Sequence, residues 1–551
     1  MVFAPSLPPI EVPAVNLAQH VLGECRQRAG PDHAVFVDSA SGESLTVEQL
    51  TTLVRRLARG LRASGIRAGD TVAVFAANSI YYPVVAYGIV AAGAVCAPAN
   101  PMYTPRELAH QLADMKCCAV VVGDGLQDTV AEAQRLAGIA LDHVWAMDEA
   151  QTRREGSVFL VADAAASSSD GEDDSPIALD SEPPTDTTAA YLCYSSGTTG
   201  RPKGVVLTHR NMIANAMQIN AIKTLDRPVA AGKRGYETFL GLAPFCHAYG
   251  LSYVLHSSVM LGGQIVVMQR YSFDALLTAV EQHRITYAYL VPPIVCALSK
   301  DPRVDAHDLS SMHTVLSGGA ALSPTLIITT EGRLPGLRVV QGYGMTEMSP
   351  AVTMLSTSHQ RPASIGILMP GCEAKVVDDH GAEFGTNEPG ELCFRGPNVT
   401  PGYLGNAAAT RGLFGADGFL YTGDVGYVDD DGFFYITDRK KEIIKFKGYQ
   451  VAPAELEALL AEHPDVEDAA VMAVYDGSQA TELPHAYLVL KPHAGDAHEC
   501  AQQVVDWLNK RVAPFKRLRG GFTIVDHIPR SPAGKVIRRE LRATAAMASA
   551  A

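Results

Sequence analysis

The chain has 551 residues, 47% apolar and only 19% charged, with a formal net charge of −14. At roughly 150 residues per domain, about three to four folding units and a large core are expected. The apolar content excludes a disordered chain, a coiled coil or a fibrous repeat, and the acidic balance argues against a nucleic-acid binder.

Residues 1–16 are broken by prolines and lack a basic stretch, so no signal peptide is expected. Between 71 and 105 no residue is charged. A membrane span needs about 20 consecutive apolar residues, and here Asn78, Ser79, Pro83 and Asn100 interrupt the run. The pattern instead predicts a buried strand at 71–75, a buried helix at 81–92 and a second strand at 95–97. A helical run at 105–114 precedes a strand at 119–122, so the first 160 residues read as parallel α/β units. Residues 164–188, rich in Ser, Asp, Glu and Pro, read as a solvated loop. A second α/β region covers 189–341, with strands at 265–268 and 287–290. From 363 to 435 short β runs, among them 374–377 and 391–395, alternate with glycine turns and predict a small all-β unit. Beyond 439 the pattern is α+β: helices at 454–462 and 501–511, strands at 469–474 and 486–489.

Charge divides along the same line. Residues 439–551 carry 16 basic and 14 acidic side chains, against 29 and 45 in the remainder. A slightly basic tail on an acidic body suggests a separate C-terminal unit that meets an anion. The ten cysteines contain no CxxC pair. They read as reduced, packed thiols of an intracellular protein, not as a zinc site. The terminal Ser549-Ala550-Ala551 is not a peroxisomal address. An intracellular, cytoplasmic location is therefore expected.

The sharpest motif is Tyr194-Ser195-Ser196-Gly197-Thr198-Thr199-Gly200-Arg201-Pro202-Lys203-Gly204, which follows the strand-like 190–193. Its glycines let backbone approach a ligand closely. Its hydroxyls and N–H groups can donate to phosphate oxygens, and Lys203 adds a positive charge. It is not a Walker A loop, because GxxxxGK[ST] is absent.

This segment resembles the phosphate loop of adenylate-forming enzymes: acyl- and aryl-CoA ligases, firefly luciferase and peptide-synthetase adenylation domains. Four further segments are similar to that family's motifs and stand in its order. They are 341–347 (Gln341-Gly342-Tyr343-Gly344-Met345-Thr346-Glu347), 421–424 (Tyr421-Thr422-Gly423-Asp424), the hinge at 438–450 and the loop 529–535 ending in Lys535. The run Gly448-Tyr449-Gln450-Val451-Ala452-Pro453 most resembles the 4-coumarate–CoA ligase group. The resemblance implies an α/β fold. A large N-terminal domain (1–438) would hold two α/β subdomains plus a small β-barrel subdomain, with a smaller mobile α+β domain (439–551).

It also implies roles. ATP would be held by Ser195, Ser196, Gly197, Thr198, Thr199, Gly200 and Lys203, with Thr346 at the phosphate and Glu347 on Mg²⁺. Gly319, Ala320, Gln341, Gly342 and Tyr343 would surround the adenine, Asp424 would accept the ribose hydroxyls, and Arg439 would assist. Lys535 would bridge carboxylate, α-phosphate and ribose. His247, in Pro244-Phe245-Cys246-His247-Ala248-Tyr249-Gly250, would orient the acid and later help the thiol step. Lys447, Gly448, Lys445, Gln450 and Arg270 fall at CoA- or nucleotide-contacting positions, and Lys441 at the hinge. By the same resemblance, Ala248, Tyr249, Tyr253, Leu316, Gly342, Pro350 and Ala351 would line the acid pocket. The implied activity is an ATP-dependent acid–CoA ligase acting on an aryl or medium-chain acid. The alternatives are a luciferase-like adenylating enzyme without CoA as main acceptor, and a nucleotide-binding regulatory module; intact Lys535 and Glu347 argue against the latter.

Overall fold

The computed structural model describes residues 1–147, 157–159, 184–195, 202–226, 237–320, 322–359, 361–439, 443–491, 496–529, 536 and 541, without the side chains of 438, 439 and 454. The loop expected at 164–188 lies outside them as far as residue 183. The chain divides into two compact units. The larger comprises Met1–Pro101, Pro105–Tyr194 and Gly204–Lys440; the smaller comprises Met102–Thr104, Ser195–Lys203 and Lys441–Ala551.

In the larger unit the uncharged run folds as strand Thr71–Phe75, helix Tyr82–Ala91 and strand Val95–Ala99, every residue buried. A helix that is apolar all round can be covered on all sides. Gly88 lets the neighbouring helix Val47–Ala63 come close, since a Cβ there would lie 2.7 Å from the Leu57 side chain. Thr71–Phe75 pairs in parallel with Val95–Ala99 on one side and Ala119–Gly123 on the other, within a seven-stranded sheet. No helix among the described residues is long and apolar enough to cross a membrane. The ten cysteines are free and seven are buried; burial alone pushes the Cys25 thiol up to about 12.

A second sheet of fourteen strands changes character midway. In spatial order Ala34–Asp38, Gln264–Val267, Thr238–Gly241, Tyr287–Leu290, Thr314–Ser317 and Arg338–Gly344 run parallel. Arg338–Gly344 then pairs antiparallel with Ala351–Met354. All pairings beyond it, through Gly366–Leu368, Phe433–Arg439, Leu420–Val428, Gly390–Arg395, Glu373–Val377 and Val2–Phe3, are antiparallel. The β-rich stretch after 363 is therefore joined by hydrogen bonds to the parallel sheet. The turn between the two halves requires Gly344, because a Cβ there would lie 1.8 Å from the Pro350 carbonyl oxygen.

One face of the parallel half is covered by helix His209–Asp226 and by Gly250–Ser258, which winds as a π-helix with nine buried residues. The smaller unit holds the hairpin Ile444–Phe446/Tyr449–Val451. It also holds the strands Val466–Asp476, Thr481–Leu490 and Phe522–Ile524, and the helices Pro453–Leu460 and Ala497–Asn509. Its core is built on Leu456, Val471, Leu488 and Val504, with Met102 and Tyr103 packed against it.

Candidate active site

In open α/β sheets ligands bind beyond the carboxyl ends of the parallel strands, where strand order or direction switches. Three loops leave those ends here: 242–249 after Thr238–Gly241, 318–323 after Thr314–Ser317, and 345–350 at the parallel-to-antiparallel switch. His247, Ala248, Tyr249, Gly319, Ala320, Thr346, Glu347 and Pro350 lie on them, and Leu316, Gln341, Gly342 and Tyr343 lie on the strands that lead into them.

The first loop is held by Asn78. Its amide donates to the carbonyls of Gly241, Leu242 and Ala243 at 3.3, 3.4 and 3.1 Å, and its oxygen accepts from Phe245 N–H at 2.8 Å. Only a side chain with both donors and an acceptor can do this. His247 is half-buried; its Nδ1 accepts from Tyr249 N–H at 3.3 Å. Gly250 closes the turn where a Cβ would lie 2.2 Å from the Pro244 carbonyl oxygen. The residues expected to line the acid pocket are uncharged. Ala248, Tyr249, Tyr253, Leu316, Pro350 and Ala351 are all buried. Tyr249 Oη donates to the carbonyls of Leu316 at 3.0 Å and Leu290 at 3.3 Å. The Tyr253 hydroxyl lies 3.0 Å from where a Cβ on Gly342 would stand. Burial pushes both phenols up, so they remain neutral hydrogen-bonding groups.

The 341–350 segment is cross-linked by its side chains. Gln341 accepts from Leu322 N–H at 3.0 Å and donates to Pro362 O at 2.9 Å, so it ties two loops together. Tyr343 Oη donates to Asp424 Oδ2 at 2.6 Å, uniting residues 81 positions apart. Asp424 follows Gly423, whose φ of 74° is left-handed. Its backbone is paired with that of Arg439. Gly319, with φ of 83°, and Ala320 turn the chain just beyond Thr314–Ser317. Thr346 and Glu347 are buried, at 4% and 3% exposure. Glu347 Oε1 accepts from Tyr403 Oη at 2.9 Å, and Glu347 O accepts from Thr400 N–H at 2.9 Å. Burial, then the neighbouring Glu347 charge, push the Tyr403 phenol up. Among the described residues no group of three or more His, Cys, Asp or Glu side chains could hold a metal ion, which leaves Glu347 as a single buried carboxylate.

Arg270 is exposed in the loop after Gln264–Val267. In the smaller unit, Lys447 and Gly448 form the tip of the hairpin with φ of 48° and 87°, the geometry of a two-residue turn that matches strand twist. The turn is held by its backbone: Lys445 N–H donates to Glu482 at 2.6 Å and Lys447 N–H to Thr481 Oγ1 at 2.7 Å. Lys445 pairs with Gln450 across the hairpin, and the Lys447 side chain is exposed. Ser195 ends strand Ala189–Ser195 and is buried, and Lys203 opens Lys203–Thr208, half-buried. Ser196, Gly197, Thr198, Thr199, Gly200, Lys441 and Lys535 lie outside the described residues, as does the Arg439 side chain.

Two positions carry no weight in the sequence reading. Asn78 counts there only as an interruption of an apolar run, although a lone amide in such a run must find partners. Tyr403 gives no local signal at all, because its partner is 56 residues away.

The AMP-binding enzyme family profile matches residues 24–404, and that of the AMP-binding enzyme C-terminal domain matches 455–535. A probable CoA ligase of Humulus lupulus is 38% identical, over 97% of this chain and 94% of its own. A 4-coumarate–CoA ligase of Oryza sativa subsp. japonica is 36% identical, over 98% and 97%. Among solved structures, an o-succinylbenzoate CoA synthetase of Bacillus subtilis superposes with a TM-score of 0.77 at 27% identity, covering 95% of this chain and 98% of its own. A long-chain-fatty-acid–CoA ligase of Archaeoglobus fulgidus gives 0.73 at 26%, covering 94% and 98%. The full-length matches and the loops gathered at the sheet's switch point agree: this chain belongs to the AMP-binding enzymes, as an adenylate-forming acid–CoA ligase.

Proposed function

We propose that this enzyme converts largely apolar monocarboxylic acids to CoA thioesters, with cinnamate-type or phenylalkanoic acids ahead of medium-chain fatty acids. The observation that carries this reading is that the residues proposed to line the acid pocket, Ala248, Tyr249, Tyr253, Leu316 and Ala351, are all buried and uncharged. A second carboxylate on the acid would find no charged partner there, which is costly to bury.

In the first step a carboxylate oxygen attacks the α-phosphorus of ATP. The bond to the β-phosphate oxygen breaks, giving acyl-AMP and pyrophosphate. Two anions meet, so donors and positive groups must offset charge that develops in the transition state. Lys203 and the 195–200 loop are assigned to the pyrophosphate end, Thr346 to the phosphate, and Lys535 to the bridge between carboxylate, α-phosphate and ribose. Tyr343, whose hydroxyl is tied to Asp424, would lay its ring on the adenine between Gly319, Ala320 and Gln341. Asp424 would accept the ribose hydroxyls, and Arg439 would assist. Glu347 suits Mg²⁺, which is commonly held by one or two carboxylates plus phosphate oxygens and neutralises their charge. Tyr403 fixes one of its oxygens.

In the second step the thiol sulfur of CoA attacks the acyl carbon. The thiol proton passes to water, and the bond between the acyl carbon and the phosphate oxygen breaks, releasing AMP. His247 stands next to the acid pocket for this step. Lys447 and Gly448 would guide the pantetheine arm, Lys445, Gln450 and Arg270 would contact CoA or nucleotide, and Lys441 would be the pivot on which the C-terminal domain turns. The test is pyrophosphate release over a panel of aryl and alkyl acids, with and without CoA. Acid-dependent release and CoA-dependent thioester are expected. A preference for acetate or a dicarboxylate would overturn the acid assignment, and indifference to CoA would overturn the acceptor.

A further inference from the structure

The face of the parallel sheet that carries the proposed acid pocket also carries a second cavity, one residue row nearer the amino ends of the strands. It measures about 70 Å³ and is lined by Phe239, Tyr287, Thr314, Val340 and Met354 from the strands and by Lys223 from the helix above. Strand residues two apart share a face. Tyr287 and Thr314 are paired, and so are Tyr289 and Leu316 two positions on. The first pair lines the cavity, while Leu316 belongs to the proposed acid pocket.

Tyr289 stands between the two. Its ring lies 5.0 Å from that of Tyr287 and stacks at 5.8 Å on Phe239, both on the cavity side. On the other side it meets Tyr253 at 5.6 Å and Tyr249 at 6.3 Å. It is 1% exposed. Its hydroxyl is pinned: Ser258 Oγ lies 2.9 Å away, and the Lys223 ammonium donates to it and to Ser257 Oγ at 2.6 Å. That ammonium sits over the rings of Phe239, Tyr287 and Tyr289 at 5.0, 5.5 and 5.0 Å, with no carboxylate in ion-pair contact among the described residues. Burial holds its pKa well below the lysine range, with Glu237 opposing. Holding a half-buried lysine among aromatic rings, away from a carboxylate, is costly. What these bonds secure is the position of one aromatic ring.

We infer that Tyr289 is the partition that sets the depth of the acid pocket, and that the space beyond it is a latent extension of the same pocket. This rests on the acid assignment above and names the feature that limits acid length. One strand row is about 6.7 Å, or roughly five or six atoms of an extended chain. Removing the ring should therefore admit acids longer by about that amount.

The test is a series of straight-chain and ω-phenylalkanoic acids of increasing length, assayed by pyrophosphate release. Binding of the matching acyl sulfamoyl adenosines is measured by calorimetry, which does not need turnover. The wild-type enzyme should lose about tenfold or more beyond a cut-off length, in line with the discrimination available per methylene. Tyr289→Ala should move that cut-off outward by roughly five or six chain atoms, in both assays. Should the alanine variant fail to fold, Tyr289→Leu should give a smaller outward shift. Tyr289→Phe, which keeps the ring, and Tyr287→Ala, which enlarges only the far cavity, should leave the cut-off where it is. An unmoved cut-off in the folded Tyr289 variant, or an equal shift in Tyr287→Ala, would overturn the partition while leaving the ligase reading intact. A wild-type enzyme that activates no acid of the series would overturn both.

Discussion

Two segments that carry candidate ligand-binding residues are built in opposite ways. In 341–350 the side chains themselves are fastened: Gln341 to two loops, Tyr343 to Asp424, Glu347 to Tyr403. In 444–451 the backbone is fastened, through Thr481 and Glu482, and the Lys447 side chain is left in solvent. The first arrangement preorganises polar groups before a ligand arrives, which is where catalytic electrostatics gains most. The second presents a fixed backbone turn and an adaptable side chain, which suits a long flexible substrate arm.

The 341–350 segment is most sensitive at Gly344. Gly344→Ala drives a Cβ against the Pro350 carbonyl and should cost at least about 3 kcal/mol of stability. Thermal unfolding and pyrophosphate release should both show it. Asn78→Ala removes the amide that holds four backbone groups of the His247 loop. A loss of about 2–4 kcal/mol is expected, since buried carbonyls are left unpaired, with a higher KM for the acid. Tyr403→Phe tests the fastening of Glu347 alone. A hydrogen bond to a charged group is worth about 1.5–3 kcal/mol, so the Mg²⁺ concentration for half-maximal adenylation should rise while KM for CoA stays put. Gly448→Ala tests the other design. The left-handed turn costs a side chain about 1–2 kcal/mol, and thioester formation from supplied acyl-AMP should slow while pyrophosphate release does not.

A change of pH tests the larger unit without altering any residue. His209 is buried, its Nδ1 accepts from Leu17 N–H at 3.0 Å, and burial lowers its pKa to about 4. Burial lowers His256 to about 3. Both folded values lie below the unfolded value of 6.5, so the unfolded chain binds more protons in between. Stability is full above about pH 6.5 and is lost as pH falls toward 4 and then 3, by at most about 1.4 kcal/mol per pH unit for each histidine. Both histidines are in the larger unit. Denaturation at pH 7 and pH 5 should show that unit weakening, and a flat profile would exclude buried neutral imidazoles.

Legibility in the sequence followed range. Strands Thr71–Phe75 and Ala119–Gly123 and helix Tyr82–Ala91 stand within a residue of where periodicity puts them, because their apolar pattern is local. The π-helical turns at Gly250–Ser258 were not legible, since a fully buried apolar run has no periodicity to read. Nor was the union of the β-rich stretch with the parallel sheet, which depends on Gly342 facing Met354. Within the candidate site, family resemblance marks Tyr343, Glu347 and Asp424, but not that Tyr343 holds Asp424 or that Tyr403 holds Glu347. Those pairings are set by sheet register. Lys223, read along the helix, looks like any solvated lysine; only tertiary packing puts it among three aromatic rings.

The fourteen-stranded sheet also has a history. Its strand Ala34–Asp38 finds its parallel neighbour at Gln264–Val267, and the bond between Gln264 and Ala34 spans 230 residues. Val2 waits longer still, for Lys375. At roughly 5–20 residues per second, a ribosome leaves Ala34–Asp38 without that neighbour for about 10–50 s. During that interval an apolar strand edge is open to any other chain. The seven-stranded sheet starts from nearer partners, Thr71–Phe75 finding Val95–Ala99 and Ala119–Gly123 within a few dozen residues. Order of enclosure in this sheet therefore runs against order of synthesis: the first strands made are among the last to be paired on both edges, and the nascent protein's dependence on chaperones should concentrate in its first 263 residues.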